Sequence, residues 1–397
     1  MTLSLKGSLD SDSCYRAMLA RDGRFDGLFF VAVKTTGVYC RPICPARTPA
    51  RNRCEFYARA AEAERAGFRA CFRCRPELAP GTASVDALPS LVQAALTRID
   101  AGFLNEASVS DLAKTLGVTS RHLRRAMRGE LGLTPVELAQ SRRLALAKQL
   151  LHDTHLPVAE VAFASGFSSL RRFNALFQSR FGRAPSSVRR HNGAARDAIA
   201  LRLDYRAPFD WQALLSFLEK RALSGIEMVD DGEYRRTVAI DGTVGWIAVR
   251  EESPALTARL SLSLTPKLPA VVDRLRALFD LDAQPQRVNE VLGRHRRLAS
   301  LVRRRPGLRV PGAFDRFELA VRAILGQRVS VAAATTLARR LVDRFGLRID
   351  VGMPGLDRLF PDAQTLASVE VEELVVVGLT QTRAAAIAAL ARAVSDG

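Results

Sequence analysis

Acidic residues are in short supply. The chain of 397 residues holds 41 Asp and Glu against 59 Lys and Arg, a formal charge of +18. So basic a balance favours a polyanion as partner, nucleic acid first. Aromatics make up only 7% of residues while hydrophobic residues make up 48%; that suits soluble, mostly helical globular domains. No run approaches the ~18 apolar residues of a membrane span. The opening MTLSLKGSLDSDSCYR has no apolar core and no cleavage site of a secretory signal, so a cytoplasmic protein is expected. Cysteine is absent after residue 74, and the six present lie between residues 14 and 74. They are too few for a secreted disulfide scaffold, and a clustered set in a reducing compartment reads as metal-binding or catalytic.

At about 100–200 residues per domain, two to four domains are expected. Composition divides the chain into four blocks. The cysteine block ends in PELAPGTASVDALPS (76–90), which reads as a linker. A helical, Arg-dense block covers 91–190, and HNGAARDA (191–198) breaks it off. Alternating and helical stretches mix in 201–300. RRRPGLRVPG (303–312) is a third junction, and the remainder reads as helical.

Within TTGVYCRPICPAR and FRACFRCRP stand Cys40, Cys44, Cys71 and Cys74, two close pairs separated by a loop. That spacing suits a tetrahedral zinc site. GLFFVAV (27–33) predicts a strand leading to the first pair, and AAEAERAGF (60–68) a short helix leading to the second. A purely structural zinc ribbon would have the same spacing. The phrases DGLFFVAVKTTGVYCRPICPAR, FYARAAEAERAGF and CFRCRP together resemble the N-terminal domain of the Ada family, which repairs methylated DNA phosphates and regulates the alkylation response. The resemblance implies that Cys40 is both zinc ligand and methyl acceptor, with Cys44, Cys71 and Cys74 completing the ligand set. It places Thr36, Arg47, Arg69 and Arg73 at positions that contact DNA in the family. Cys14 and Cys54 fall outside the ligand pattern and read as small buried or surface residues.

SVSDLAKTLGVTSRHLRRAMRGELGLTP (108–135) predicts a helix capped by Ser110-Asp111, a turn at Gly117, and a second helix from Ser120. Leu123, Ala126 and Met127 face inward; Arg121, His122, Arg124, Arg125 and Arg128 face outward. The pattern is a helix-turn-helix with a basic second helix. LPVAEVAFASGFSSLRRFNALFQSRFGRAPS (156–186) repeats it, with Leu170, Phe173 and Phe177 inward and Arg171, Arg172 and Asn174 outward. The pair looks like the AraC-type double helix-turn-helix, with 141–153 as the joining helix. Arg121, His122, Arg124, Arg125, Ser168, Ser169, Arg171, Arg172 and Asn174 are the candidate groove contacts. Which of them read bases and which only phosphates stays open.

From LRLDYRAPFDWQALLSFLEKRALSGIEMVDDGEYRRTVAI to LVVVGLTQTRAAAIAALARAV the sequence resembles AlkA, the methyladenine DNA glycosylase. After ILGQ, the AlkA family can wedge a residue into the DNA. Here Gln327 is followed by Arg328 where a Leu occurs in AlkA. Phe217 matches an aromatic near the base pocket, or is plain core. Neither a hairpin of the PGIGxxTA type nor a catalytic Asp follows, and Asp362 belongs to an earlier loop. The glycosylase part therefore reads as C-terminally incomplete, with little or no base excision expected. No Pro-Cys-His-Arg motif indicates a second methyl acceptor.

The expected fold class is multidomain α+β. Residues 1–80 form a small zinc-binding α/β domain, 88–192 an all-α double helix-turn-helix, 199–302 an α+β domain like the N-terminal part of AlkA, and 303–397 a partial all-α helix-hairpin-helix glycosylase domain. The expected function is a bacterial regulator and repair protein of the nucleoid. It binds Zn2+, alkylated and promoter double-stranded DNA, and RNA polymerase. The alternatives are a base-excising glycosylase and a zinc-containing regulator without methyl transfer.

Overall fold

The computed structural model describes residues 10–81, 89–188 and 198–396. The first segment opens with α1 (Ser11–Leu19), whose N-terminus is capped by the Asp10 carboxylate accepting from the Asp12 and Ser13 N–H groups at 2.8 Å each. A four-stranded sheet follows, built from β1 (Phe30–Val33), β2 (Val38–Cys40), β3 (Cys54–Tyr57) and β4 (Arg69–Ala70), with α2 (Ala60–Arg65) before the last strand. Its order is β3-β1-β2-β4, antiparallel except for the parallel β2–β4 pair. Strand residues alternate between faces. Phe29 and Val31 pack on Cys14, Ala17 and Met18, while Phe30 and Ala32 belong to a different core. Both faces are therefore covered. Of the two readings left open for Cys14 and Cys54, buried or surface, both take the buried one.

Seven helices follow: α3 (Ser90–Asp100), α4 (Phe103–Glu106), α5 (Val109–Thr115), α6 (Ser120–Leu131), α7 (Pro135–Asp153), α8 (Val158–Ala164) and α9 (Leu170–Phe181). The cap of α5 is Ser108, in a reciprocal box with Asp111, and not Ser110-Asp111. The start lies two residues earlier because Asp111 reaches back to the Ser108 N–H. The joining helix likewise begins at Pro135, where Thr134 and Glu137 form a second capping box. Both α6 and α9 end on a left-handed glycine, Gly132 and Gly182, each with φ of +68°. Leu123, Met127 and Leu131 face inward on α6, as do Phe173, Phe177 and Phe181 on α9. Leu170 was expected inward and is exposed, because it is the first residue of α9.

The third segment is a five-stranded antiparallel sheet in the order β5-β9-β8-β7-β6, from β5 (Ala198–Asp204), β6 (Glu227–Asp230), β7 (Glu233–Ile240), β8 (Thr243–Glu252) and β9 (Ala255–Ser261). Helices α10 (Trp211–Glu219), α11 (Leu268–Leu278), α12 (Pro285–Gly293) and α13 (Ala299–Arg304) accompany it. The last segment is helical: α14 (Arg316–Leu325), α15 (Val331–Phe345), α16 (Ala363–Ala367), α17 (Val371–Val376) and α18 (Gln381–Ser395).

The cores do not follow the sequence blocks. One continuous core joins Phe30 and Tyr39 of the cysteine segment, Leu144, Leu150 and Phe177 of the helical segment, and Leu201, Val249 and Leu260 of the five-stranded sheet. The last segment has its own core, which takes in Leu223 and Ile226 from the preceding segment. Part of the expected linker is also packed: Pro76 and Leu78 are buried. Its residues 82–88, and most of the second break, lie outside the described residues.

A four-cysteine centre at the meeting of three segments

Strand β2 delivers Cys40, and a tight turn in which the Cys44 N–H donates to the Arg41 carbonyl (3.1 Å) delivers Cys44. On the other arm, the Cys71 N–H donates to the Tyr39 carbonyl (3.0 Å), which sets the second pair against the first. The four Sγ atoms lie within 4.8 Å of one another. Tetrahedral zinc with bonds of ~2.3 Å holds its sulfurs roughly 3.8 Å apart, so the donor set fits that ion. Cys74 is buried, while Cys40, Cys44 and Cys71 are half-buried. Backbone N–H groups of Arg41 and Arg73 donate to the sulfurs of Cys74 and Cys71, each at 3.3 Å. The crowded thiols shift one another, Cys40 upward and Cys44 and Cys71 downward. Thiols this close share protons unless a cation lies among them.

The residues behind the centre come from all three neighbouring segments. Arg41 is buried between Asp26 and Asp204, the latter on β5. Lys148 of α7 is fully buried; its Nζ donates to the Cys71 carbonyl (2.9 Å) and to Glu77 (2.8 Å) and lies 4.8 Å from the Phe72 ring centroid. Tyr39 donates to Glu64 (2.9 Å), whose other oxygen faces Arg180 of α9 at 3.5 Å. Burial raises the Glu64 carboxyl against the pull of Arg180. None of Asp26, Arg41, Glu64, Lys148 or Asp204 was singled out from the sequence. A lone lysine in the apolar run LALAKQLL was a usable signal for Lys148, since an unpaired lysine is almost never fully buried.

The sequence-predicted DNA contacts are all exposed. Thr36 sits in the β1–β2 turn, and Arg47, Arg69 and Arg73 flank the cysteine arms. Arg69 also lies against α9: a Cβ on Gly182 would meet its Nη1 at 2.5 Å. Arg121, His122, Arg124 and Arg125 line one exposed face of α6, and Arg171, Arg172 and Asn174 one of α9. Ser169 caps α9 by accepting from the Arg172 N–H, and Ser168 is exposed beside it. Gln327 and Arg328 are exposed just after α14. Arg328 has φ of +56°, strained for a residue with a side chain; the Arg383 guanidinium donates to the Gln327 carbonyl. Phe217 is 39% exposed with the Arg221 guanidinium 3.7 Å from its ring centroid, which removes the plain-core reading. Asp362 caps α16 by accepting from the Thr365 N–H (2.7 Å).

Four family models match in succession: the metal binding domain of Ada over residues 13–77, a helix-turn-helix domain over 112–191, the AlkA N-terminal domain over 200–315, and the HhH-GPD superfamily of base excision DNA repair proteins over 321–395. The chain is 39% identical over 374 residues to a protein of Mycobacterium tuberculosis named "Probable bifunctional transcriptional activator/DNA repair enzyme AlkA", covering 92% of this chain and 75% of that one. It belongs to this family of bifunctional activator and repair proteins. Parts of the chain match separate proteins of Escherichia coli. DNA-3-methyladenine glycosylase 2 is 38% identical over 197 residues, 49% of this chain and 67% of its own. The bifunctional transcriptional activator/DNA repair enzyme Ada is 38% identical over 144 residues, 36% of this chain and 39% of its own. As a member of the family, the chain joins a zinc-binding centre, a helix-turn-helix segment and a glycosylase-type segment in one DNA repair regulator.

Proposed function

We propose that the chain is an alkylation sensor. Cys40 takes a methyl group from a DNA methylphosphotriester, and the helical segment then binds promoter DNA more tightly. The observation that carries this reading is the cluster of four Sγ atoms within 4.8 Å, with Cys40 half-open to solvent. Cys40, Cys44, Cys71 and Cys74 would hold the zinc ion, whose charge keeps the thiols deprotonated at neutral pH. The four thiolates leave the centre anionic even beside a divalent ion, so an ordinary phosphodiester is repelled and a neutral triester is not. The Cys40 thiolate attacks the methyl carbon. A sulfur–carbon bond forms, the carbon–oxygen bond breaks, and the phosphodiester leaves with the electron pair. Transfer is single-turnover, because a thioether has no easy leaving path.

Methylation removes one negative charge. At about 6 Å and an effective dielectric of 20, one charge against a phosphate amounts to roughly 3 kcal/mol, or about a hundredfold in affinity. Thr36, Arg47, Arg69 and Arg73 are assigned to the repaired strand. The outward residues of α6 and α9 are assigned to successive grooves. RNA polymerase is the proposed partner for activation, and the cytoplasmic nucleoid the place of action.

The test is to incubate zinc-loaded protein with DNA carrying methylphosphotriesters and weigh its peptides. One added methyl on the Cys40 peptide, absent with plain DNA, is the expected result. No added methyl in a protein that holds its zinc reduces the centre to a structural one. A second reading, base excision, is favoured by the exposed, left-handed Arg328 after α14. An assay for free base separates the two activities.

A further inference from the structure

We propose that Asp204, on β5 of the AlkA-type segment, is a positioning residue of the methyl-acceptor centre and acts through Arg41. The inference rests on the sensor reading for its function, while its geometry stands apart from it. Arg41 follows Cys40 directly, so whatever fixes Arg41 fixes the backbone of the nucleophile. Its N–H donates to Cys74 Sγ (3.3 Å), and its Nη1 to the Cys74 carbonyl (3.4 Å). The same Nη1 donates to Asp204 Oδ2 at 2.7 Å, and Nε donates to Asp26 Oδ1 at 2.8 Å. One guanidinium thus ties both arms of the cysteine cluster to two carboxylates.

Both carboxylates are set by the AlkA-type segment. Asp204 is held on its other oxygen by Arg202 Nε at 2.7 Å. Asp26 is held by its backbone: its carbonyl accepts from Arg206 Nε at 2.9 Å. Arg206 is 1% exposed and also donates to the carbonyls of Pro80 and Gly81, at the end of the cysteine segment. The side chains of Arg41, Asp26 and Asp204 are each at most 6% exposed. Buried ion pairs contribute little net stability, but they hold geometry tightly where every donor is used. Methyl transfer needs sulfur, carbon and leaving oxygen in line, and an error of about 1 Å can cost about a hundredfold. A segment that resembles a glycosylase therefore completes the support of a centre that lies outside it.

Asp204→Asn, in the full chain, keeps the shape and removes the charge. Three readouts are compared with the parent: the 113Cd resonance of cadmium-substituted protein, the rate of zinc loss to a chelator, and the rate of methyl transfer. The expected result is a displaced resonance, zinc loss about tenfold faster, and methyl transfer about tenfold slower. A plain tie between segments would lower the resistance to urea and leave the native cadmium resonance in place. An unshifted resonance with both rates within twofold of the parent overturns the proposal. Should Asp204→Asn not fold, Arg41→Lys asks the same question, since an ammonium lacks the planar fork that bonds both Asp26 oxygens while reaching Asp204 and the Cys74 carbonyl. The same displacement and losses are expected, and parental values overturn it. If the parent itself transfers no methyl, the sensor reading fails, and the cadmium resonance and zinc loss still decide the role of Asp204.

Discussion

Single residues give the sharpest handles. Cys40→Ser should abolish methyl uptake and leave three sulfurs and a hydroxyl, with zinc affinity reduced; peptide mass and zinc content check both. Asp273 on α11 offers a pH handle. Burial, with Asp100 and Asp282 close by, raises its carboxyl from 3.8 to about 6 against the opposing pull of Arg316 and Arg276. The folded state therefore keeps a proton that the unfolded chain gives up between pH ~4 and ~6, so this group's contribution to stability falls as pH rises through that window. Above pH 6 the full cost of burying the charge is present. Asp273→Asn should be the more stable protein at pH 7.5, by about 1–2 kcal/mol, with the difference shrinking as pH falls toward 4. Urea unfolding of parent and variant across that range checks the sign.

At the scale of elements, α7 is the joint between the cysteine centre and the DNA-binding helices. Lys148 lies in its middle with no exposed surface and serves a cysteine carbonyl, a carboxylate and an aromatic face at once. Lys148→Met keeps the stem and drops the charge, leaving Glu77 with Arg75 alone. A loss of about 3 kcal/mol is expected, because the Cys71 carbonyl loses its donor and the buried Glu77 one of its two partners. Faster amide exchange at residues 71–77 than elsewhere would locate it. The end of α9 is a second joint. Gly182→Ala forces a left-handed alanine and drives a methyl onto Arg69, at an expected cost of about 1–2 kcal/mol. Thermal unfolding measures it, and Arg69→Ala in the same background should recover the contact part but not the backbone part.

For the whole molecule, charge and the shared core matter most. Binding of promoter DNA should weaken steeply with salt. If six of the outward arginines meet phosphates, affinity should fall about a thousandfold between 50 and 200 mM salt. A titration across that range checks the slope, and a flat response would count against a backbone-binding role for these helices. Because one core joins the cysteine segment, α7 to α9 and the five-stranded sheet, those parts should unfold together, while α3 to α6 and the glycosylase-type helices, each with a core of their own, can melt apart from them. More than one transition in calorimetry is expected, with the zinc chelator moving only the one that contains the cysteine segment.

Much of the molecule was legible in the sequence because local chemistry set it. The four cysteines at Cys40, Cys44, Cys71 and Cys74, the turn at Gly117, and the Phe173–Phe177 stripe each depend on residues near one another in the chain, and helix periods and ligand spacings are local rules. Cap positions such as Ser108 were missed by two residues, since Ser108 and Ser110 both precede the Asp111 carboxylate that chooses between them. What only the tertiary structure decided is which charges are buried and against what. Arg41, Asp204 and Arg206 look like ordinary surface residues of a basic chain, and Lys148 stands out only by the apolar run around it. Their partners on distant segments lie 15 to 180 positions away, and no periodicity carries information over that distance. A charged side chain is buried only where a distant segment supplies its counter-charge, so the packing of the three segments, and not the pattern within any one of them, settled what stands behind the cysteine centre.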